Sequence, residues 1–274
     1  MSKIAYDPVK DLMAGIIRNS LHLRTVFYLL LDLIFLRSWH IRRILIDICT
    51  PMDQSGKWNL LDAGSGFGQY DRFILKKFKN VTITSIDIKQ EYLDDNSAYF
   101  SDEIQLKRIS FQNRDLLRSE AEDAFDLVLC VDVLEHIEDD MTAVKNISRS
   151  LKKGGYFLMH SPSHYSEEDA DGDDTFVDEH ARTGYSKQEI EQKMMRLDLL
   201  PLKTHYTYGT WGRRGWKLLV KWPMLLLTKL RFFAFLPLLV YYPLVLLPAL
   251  VMNSADLFTR NLKGNGIYAL AKKI

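Results

Sequence analysis

The chain has 274 residues, 36 Lys or Arg against 35 Asp or Glu, and a net charge of +1. That length suits one large α/β domain with additions, and no overall positive field argues for a nucleic-acid partner. Only two cysteines occur, Cys49 and Cys130, at no metal or redox spacing, which fits a reducing cytoplasm.

Residues 8 to 50 are predicted helical. Leu21 to Leu36 is strongly apolar, but Arg24 and Asp32 interrupt it, so an amphipathic or buried helix is expected there. Ser38 is expected to cap a following helix, and Pro51 to Lys57 to form a polar linker. Next comes WNLLDAGSGFG, Trp58 to Gly68: a short buried strand, a glycine turn, then a helix from about Gln69. Small residues let such a turn tighten and let a ligand approach the backbone. The strand VTITSIDI follows, ending at Asp87 at the spacing of a ribose contact.

The alternation continues with a strand near Leu106–Phe111 that runs towards Asp115, then Asp126–Val131. A helix over Asp139–Leu151 is expected to stop at Gly154-Gly155, before a strand over Tyr156–His160. Apolar strands alternating with helices imply a parallel sheet covered on both faces. Ligands bind beyond the carboxyl ends of such strands, and Asp62, Asp87, Asp115, Asp132 and Ser161 fall on that rim. The GxGxG spacing disagrees with the GxGxxG of a dinucleotide dehydrogenase, and no GKS or GKT follows.

These motifs in order, LLDAGSGFG, SIDI, NRDLL, FDLVLCVDVLEHI and LKKGGYFLMHSPS, resemble the class I S-adenosylmethionine-dependent methyltransferases over residues 57 to 208. The resemblance implies a Rossmann-like, seven-stranded, mostly parallel sheet with helices on both faces. Its last two strands would be Leu202–Tyr208 and Gly266–Lys272. It implies S-adenosyl-L-methionine as cofactor. Asp62, Gly64, Ser65, Gly66 and Gly68 would border the methionine part. Asp87 would accept from the ribose hydroxyls, Ile88 would lie against the adenine, Asp115 and Leu116 would border its edge, and Val131 would close the pocket.

Methyl transfer needs the acceptor held in line and water excluded, with a base only where the acceptor is protonated. His136, in Asp132-Val-Leu-Glu135-His136, and His180, in the loop after the fifth strand, are the candidate bases, with Glu135 beside the first. Ubiquinone-pathway O-methyltransferases carry a similar Glu-His cluster that can hold a divalent metal. Here Asp132 replaces the usual first Glu, and no metal is assigned. From Ser161 to Ala181 there are eight acids and no Lys or Arg, which suggests a mobile acidic lid.

Phe232 to Met252 holds 21 uncharged residues, interrupted by Pro237, Pro243 and Pro248. It lies between two strands of one sheet, so a single crossing would strand the last one beyond the membrane. Six Lys or Arg and no acid occur from Gly209 to Ala255, with Trp211, Trp216 and Trp222 among them. A segment that dips into one leaflet or lies on it is expected, and a helical subdomain or protein interface is the alternative. The domain division is then a helical cap over 1–56, a cofactor domain over 57–208 and 262–274, and an apolar insert over 209–261. The function expected is methyl transfer to a lipophilic small-molecule acceptor, at a hydroxyl of quinone, phenol or lipid type. The location expected is cytoplasmic, peripherally or monotopically attached to a membrane. A non-catalytic membrane-associated scaffold on the same fold is the alternative.

Overall fold

The computed structural model describes residues 20–118, 122–166 and 181–274. Two helices come first, α1 (Leu21–Ile34) and α2 (Leu36–Ser55). Ser20 caps α1 by accepting from the Leu23 amide. Ser38 does not stand at the helix start: α2 begins at Leu36, and Ser38 is buried inside its first turn. The linker expected from Pro51 is also helical, since α2 runs through that proline to Ser55. The missing proline N–H weakens the ladder, but tertiary bonds hold the last turn. Asp53 accepts from Trp58 Nε1 at 3.1 Å and from the Asn80 amide at 2.8 Å.

The alternating elements are β1 (Trp58–Ala63), α3 (Gln69–Lys77), β2 (Val81–Asp87), α4 (Gln90–Tyr99), α5 (Ser101–Gln105) and β3 (Ile109–Asn113). Then follow β4 (Phe125–Val131), α6 (Asp140–Ser150), β5 (Leu151–Pro162), α7 (Lys187–Met195) and β6 (Leu199–Thr207). After three further helices, β7 (Gly266–Lys273) completes a seven-stranded sheet in the order β3-β2-β1-β4-β5-β7-β6. The pairings of β1 with β2 and β4, of β2 with β3 and of β4 with β5 are parallel. This is the Rossmann-like, mostly parallel sheet the motifs imply. β3 starts later than expected because α5 takes up Ser101–Gln105 and Lys107 turns at φ 56°.

Gly154-Gly155 does not stop a helix. α6 ends at Ser150, and the glycines lie within β5, where the pairing with β4 shifts register between Phe125 and Leu127. A Cβ on Gly155 would sit 2.9 Å from the Lys152 carbonyl oxygen and 3.1 Å from that of Asp126. The glycine serves close backbone approach at a bulge.

The described residues divide into two compact units. One is drawn from the described residues of 41–162, from 181–204 and from 267–274, the other from 20–40, 163–166 and 205–266. In the first, Leu60, Ile83, Leu127, Leu129 and Leu158 of the sheet pack with Ile41, Ile44 and Leu45 of α2 and Ile74 and Phe78 beside them.

The second unit holds α8 (Thr210–Trp216), a π-helical turn over Lys217–Lys221, α9 (Trp222–Leu230), a 3-10 turn over Arg231–Ala234, and α10 (Phe235–Phe258). These form an antiparallel hairpin. Asp256 accepts from the Gly212 amide at 3.0 Å, while Tyr241 and Tyr242 donate to the carbonyls of Leu218 and Leu219 at 2.9 and 3.1 Å. A Cβ on Gly215 would fall 2.4 Å from Asn253 Oδ1, so the two helices touch there through glycine. α10 buries Leu238, Ala249, Asn253 and Asp256 on one face. Leu236, Leu239, Val240, Leu244, Leu247 and Val251 are exposed on the other. Among the described residues it is the one helix long and apolar enough to cross a membrane.

Candidate cofactor site

β1 carries Asp62 to its carboxyl end, and the chain then turns through three left-handed glycines, Gly64 (φ 85°), Gly66 (φ 51°) and Gly68 (φ 71°). The turn is pinned to the next strand, because the amides of Gly64 and Ser65 both donate to the Ile86 carbonyl, at 2.9 and 3.0 Å. Two of these glycines serve different ends. A Cβ on Gly64 would lie 2.3 Å from Val133 Cγ2, whereas one on Gly66 would meet nothing within 4 Å. Gly64 is therefore small for packing, and Gly66 faces open space. Asn96 of α4, fully buried, donates to the Gly66 carbonyl at 2.8 Å.

Asp87, half-buried, ends β2 beside this loop. Its Oδ2 accepts from the Gly66 amide and its Oδ1 from the Lys89 amide, both at 2.9 Å. Each oxygen keeps acceptor capacity for a ligand hydroxyl. Ile88 leaves 68% of its surface exposed, an unusual apolar face next to that carboxylate. Asp115 is half-buried and its Oδ1 accepts from the Leu117 amide at 2.9 Å. Leu116 is buried, with its carbonyl held by Asn146 at 2.8 Å. Val131 is half-buried at the end of β4.

Asp62 is only 2% exposed, and its Oδ2 and the Ser65 hydroxyl are buried with no hydrogen-bond partner. Burial and the Asp71 carboxyl beside it push the Asp62 carboxyl well above the usual range. Two orphaned polar atoms flank a loop whose central glycine faces open space. The donor set suits a ligand with a charged amino-acid end and a ribose diol.

Past β4 the chain turns at Asp132 (φ 52°), whose Oδ1 pairs with His160 Nδ1 at 2.6 Å. Glu135 is buried and accepts from the Ser161 hydroxyl at 3.0 Å. Its carbonyl accepts the amides of Ala181 and Arg182, at 2.9 and 3.3 Å. His136 ends a short 3-10 turn (Leu134–His136) with its side chain exposed. Asp132 and Glu135 thus face separate partners, and no three His, Cys, Asp or Glu among the described residues are grouped to hold a metal. His180 and the acidic loop lie outside the described residues. Sequence reasoning missed His160 and Asp71. Register links the first to Asp132, since Val131 pairs with His160 across β4 and β5.

The model of the family described as "Methyltransferase domain" matches residues 61–157. Residues 61–157 thus carry a methyltransferase domain, as the motifs imply. Its cofactor is S-adenosylmethionine. The chain is 29% identical over 99 residues to a ubiquinone biosynthesis O-methyltransferase of Coxiella burnetii, covering 35% of this chain and 40% of that protein. It is 26% identical over 123 residues to (S)-coclaurine N-methyltransferase of Papaver somniferum, covering 43% of this chain and 35% of that one. The chain therefore spans well under half the length of these curated relatives.

Among solved structures, phosphoethanolamine N-methyltransferase 2 of Haemonchus contortus aligns at TM-score 0.54 and 19% identity, over 80% of this chain and 49% of that one. The cyclase SpnF aligns at TM-score 0.55 and 16% identity, over 83% and 81%. At such identities the likeness shows the fold, and the methyltransferase fold also carries other chemistry.

Proposed function

We propose that this methyltransferase transfers a methyl group to a lipophilic small molecule at a membrane surface, at a hydroxyl of quinone, phenol or lipid type. The observation that carries the cofactor half is the pairing of Asp87 with the Gly66 amide beside the orphaned Asp62 and Ser65 atoms. S-adenosylmethionine supplies an activated methyl group when bound. The chain's task is to hold the acceptor in line and keep water out. In this reading His180 and His136 take the proton of the acceptor hydroxyl, and Glu135, tied to Ser161, fixes the turn that carries His136. The helical cap, cofactor domain and insert are kept as the working division.

The α10 stripe supports the lipid half. Its exposed residues Leu236, Val240, Leu244, Leu247 and Val251 fall on one helical face, opposite the buried one. Lys229 and Arg231 are exposed at the hairpin turn. A charge at the bilayer centre is costly, so the turn belongs at headgroup level and α10 along the surface rather than across it. α1 adds a similar face, with Leu23, Val26, Leu30 and Leu33 exposed opposite buried Arg24, Phe27 and Tyr28. The working location is the cytoplasmic side of a membrane.

The test is transfer of radiolabel from S-adenosylmethionine into liposomes doped with quinols, phenols or phospholipid acceptors. Labelled product in the lipid phase supports the reading. Cofactor binding with no labelled product across the panel rejects it in favour of the non-catalytic scaffold.

A further inference from the structure

Beneath the glycine loop lies a carboxylate that the family's motifs do not include. Asp71, in the first turn of α3, has no exposed surface. Its Oδ2 accepts from the Ser85 hydroxyl at 2.8 Å, and Ser85 is itself fully buried and pairs in register with Asp62 across β1 and β2. Ser85 thereby brings the Asp71 carboxyl beside that of Asp62, and each acts on the other's proton. Asp71 Oδ1 and Asp62 Oδ2 receive no N–H or O–H from any other described residue. Two carboxyls can share a hydrogen bond only if one of them carries a proton. The other ionisable groups acting on Asp62 and its surroundings add no positive charge: Asp87 at the end of β2, and the Cys130 thiol in β4, which burial keeps neutral.

We propose that Asp71 is a positioning residue that keeps Asp62 protonated in the free protein, and that the cationic methionine end of the cofactor expels that proton on binding. Two bare carboxylates side by side in a dry site repel each other, so the free pair retains one proton. A positive amino group arriving at Asp62 reverses the balance and favours the ionised form. The proton leaves to solvent, and the charge of the site changes by the same single unit. Burial pushes the Asp71 carboxyl up to about 6, with the Ser85 hydroxyl and Asp62 holding it there. Burial and the neighbouring Asp71 raise Asp62 as well, so the pair holds its shared proton, and a cation arriving at Asp62 displaces it.

The proposal rests on the cofactor site described above, and its test separates the two. S-adenosylhomocysteine is titrated calorimetrically into the full chain between pH 6 and 7, in phosphate and in imidazole buffers, whose ionisation heats differ. The ligand's own amine is already protonated there, since an α-amino group titrates near about 8. The expected result is release of close to one proton per site, with Kd tightening by up to about tenfold per pH unit. Binding whose heat is independent of buffer and whose Kd is independent of pH overturns the proposal and leaves the cofactor site standing. No binding at all overturns the site itself.

Asp71→Asn is expected to bind more tightly than wild type at pH 6 and to release clearly less than the wild-type proton, burial alone still raising Asp62. Undiminished release from that variant removes Asp71 from the account. Ser85→Ala, which deletes the hydroxyl that stabilises ionised Asp71, should move the proton-release window to higher pH. Should Asp71→Asn fail to fold, Ser85→Ala and the wild-type buffer pair still decide the outcome.

Discussion

Asp87 carries two duties, and a single substitution separates neither. Its oxygens hold the Gly66 and Lys89 amides and face the ligand site. Hydrogen bonds to a charged group contribute about 1.5–3 kcal/mol each, so Asp87→Ala is expected to weaken S-adenosylhomocysteine at least about a hundredfold by calorimetry. Unchanged affinity would mean that the ligand binds elsewhere. The glycines give a sharper contrast. Gly66→Ala places a methyl in open space, at a strain of about 1–2 kcal/mol for left-handed backbone. It should melt close to wild type and bind the cofactor at least about tenfold more weakly. Gly64→Ala drives a methyl into Val133 and should lower the melting temperature markedly, by strain plus overpacking of about 1–3 kcal/mol. Stability and binding must respond in opposite order in these two variants. Asp62, Asp87 and the glycines were legible because they sit on one contiguous loop and one strand end. Asp71 and His160 were not, because their partners lie across strand register and a helix turn, which no local spacing encodes.

Elements were legible where periodicity ran unbroken and misread where punctuation was taken literally. Ser38, Pro51 and Gly154-Gly155 all carry residue types that end helices, yet tertiary packing overrode each. Ser38 is buried within α2, Asp53 pins the turn beyond Pro51, and the glycines form a bulge. The segment returning to α7 shows how strongly such contacts act. Asp140, at the start of α6, accepts from Arg182 and Tyr185 at 2.6 Å and from Lys193 at 2.5 Å. Burial raises the Asp140 carboxyl, but Lys193, Tyr185 and Arg182 outweigh it and leave the group below its usual value. A carboxyl lowered in the folded state stabilises above the ordinary aspartate value of about 3.9, and that stability is lost as pH falls through the lowered value. Asp140→Ala should therefore lower the unfolding free energy measured in urea at pH 7 by about 3–5 kcal/mol, because its buried partners are left stranded. The difference from wild type should shrink near pH 3. On α10 the test is a charge placed in the exposed stripe. Leu244→Glu with Leu247→Glu should abolish flotation with anionic liposomes and leave S-adenosylhomocysteine affinity intact, because both residues are exposed on the second unit. Retained flotation would assign the lipid contact to α1.

At the scale of the molecule, the sequence announced a sheet but not how the chain visits it. Both units are built from three separate stretches of chain, so neither is a contiguous insertion in the other. Alternation predicted a parallel sheet, which β3-β2-β1-β4-β5 forms, but not the order, in which the connection from β3 to β4 passes over β2 and β1. The place of β7, between β5 and β6, was beyond local pattern, because it depends on a pairing across the whole hairpin of α8 to α10. That strand order also sets a timetable. During synthesis β6 emerges before its neighbour exists, and at about 5–20 residues per second the roughly 60 residues up to β7 take about 3–12 s. For that interval the edge of β5 is bare while the greasiest helix of the protein is being made. Under the proposed membrane reading, laying α10 on lipid before the sheet closes would make the bilayer the first chaperone of the fold.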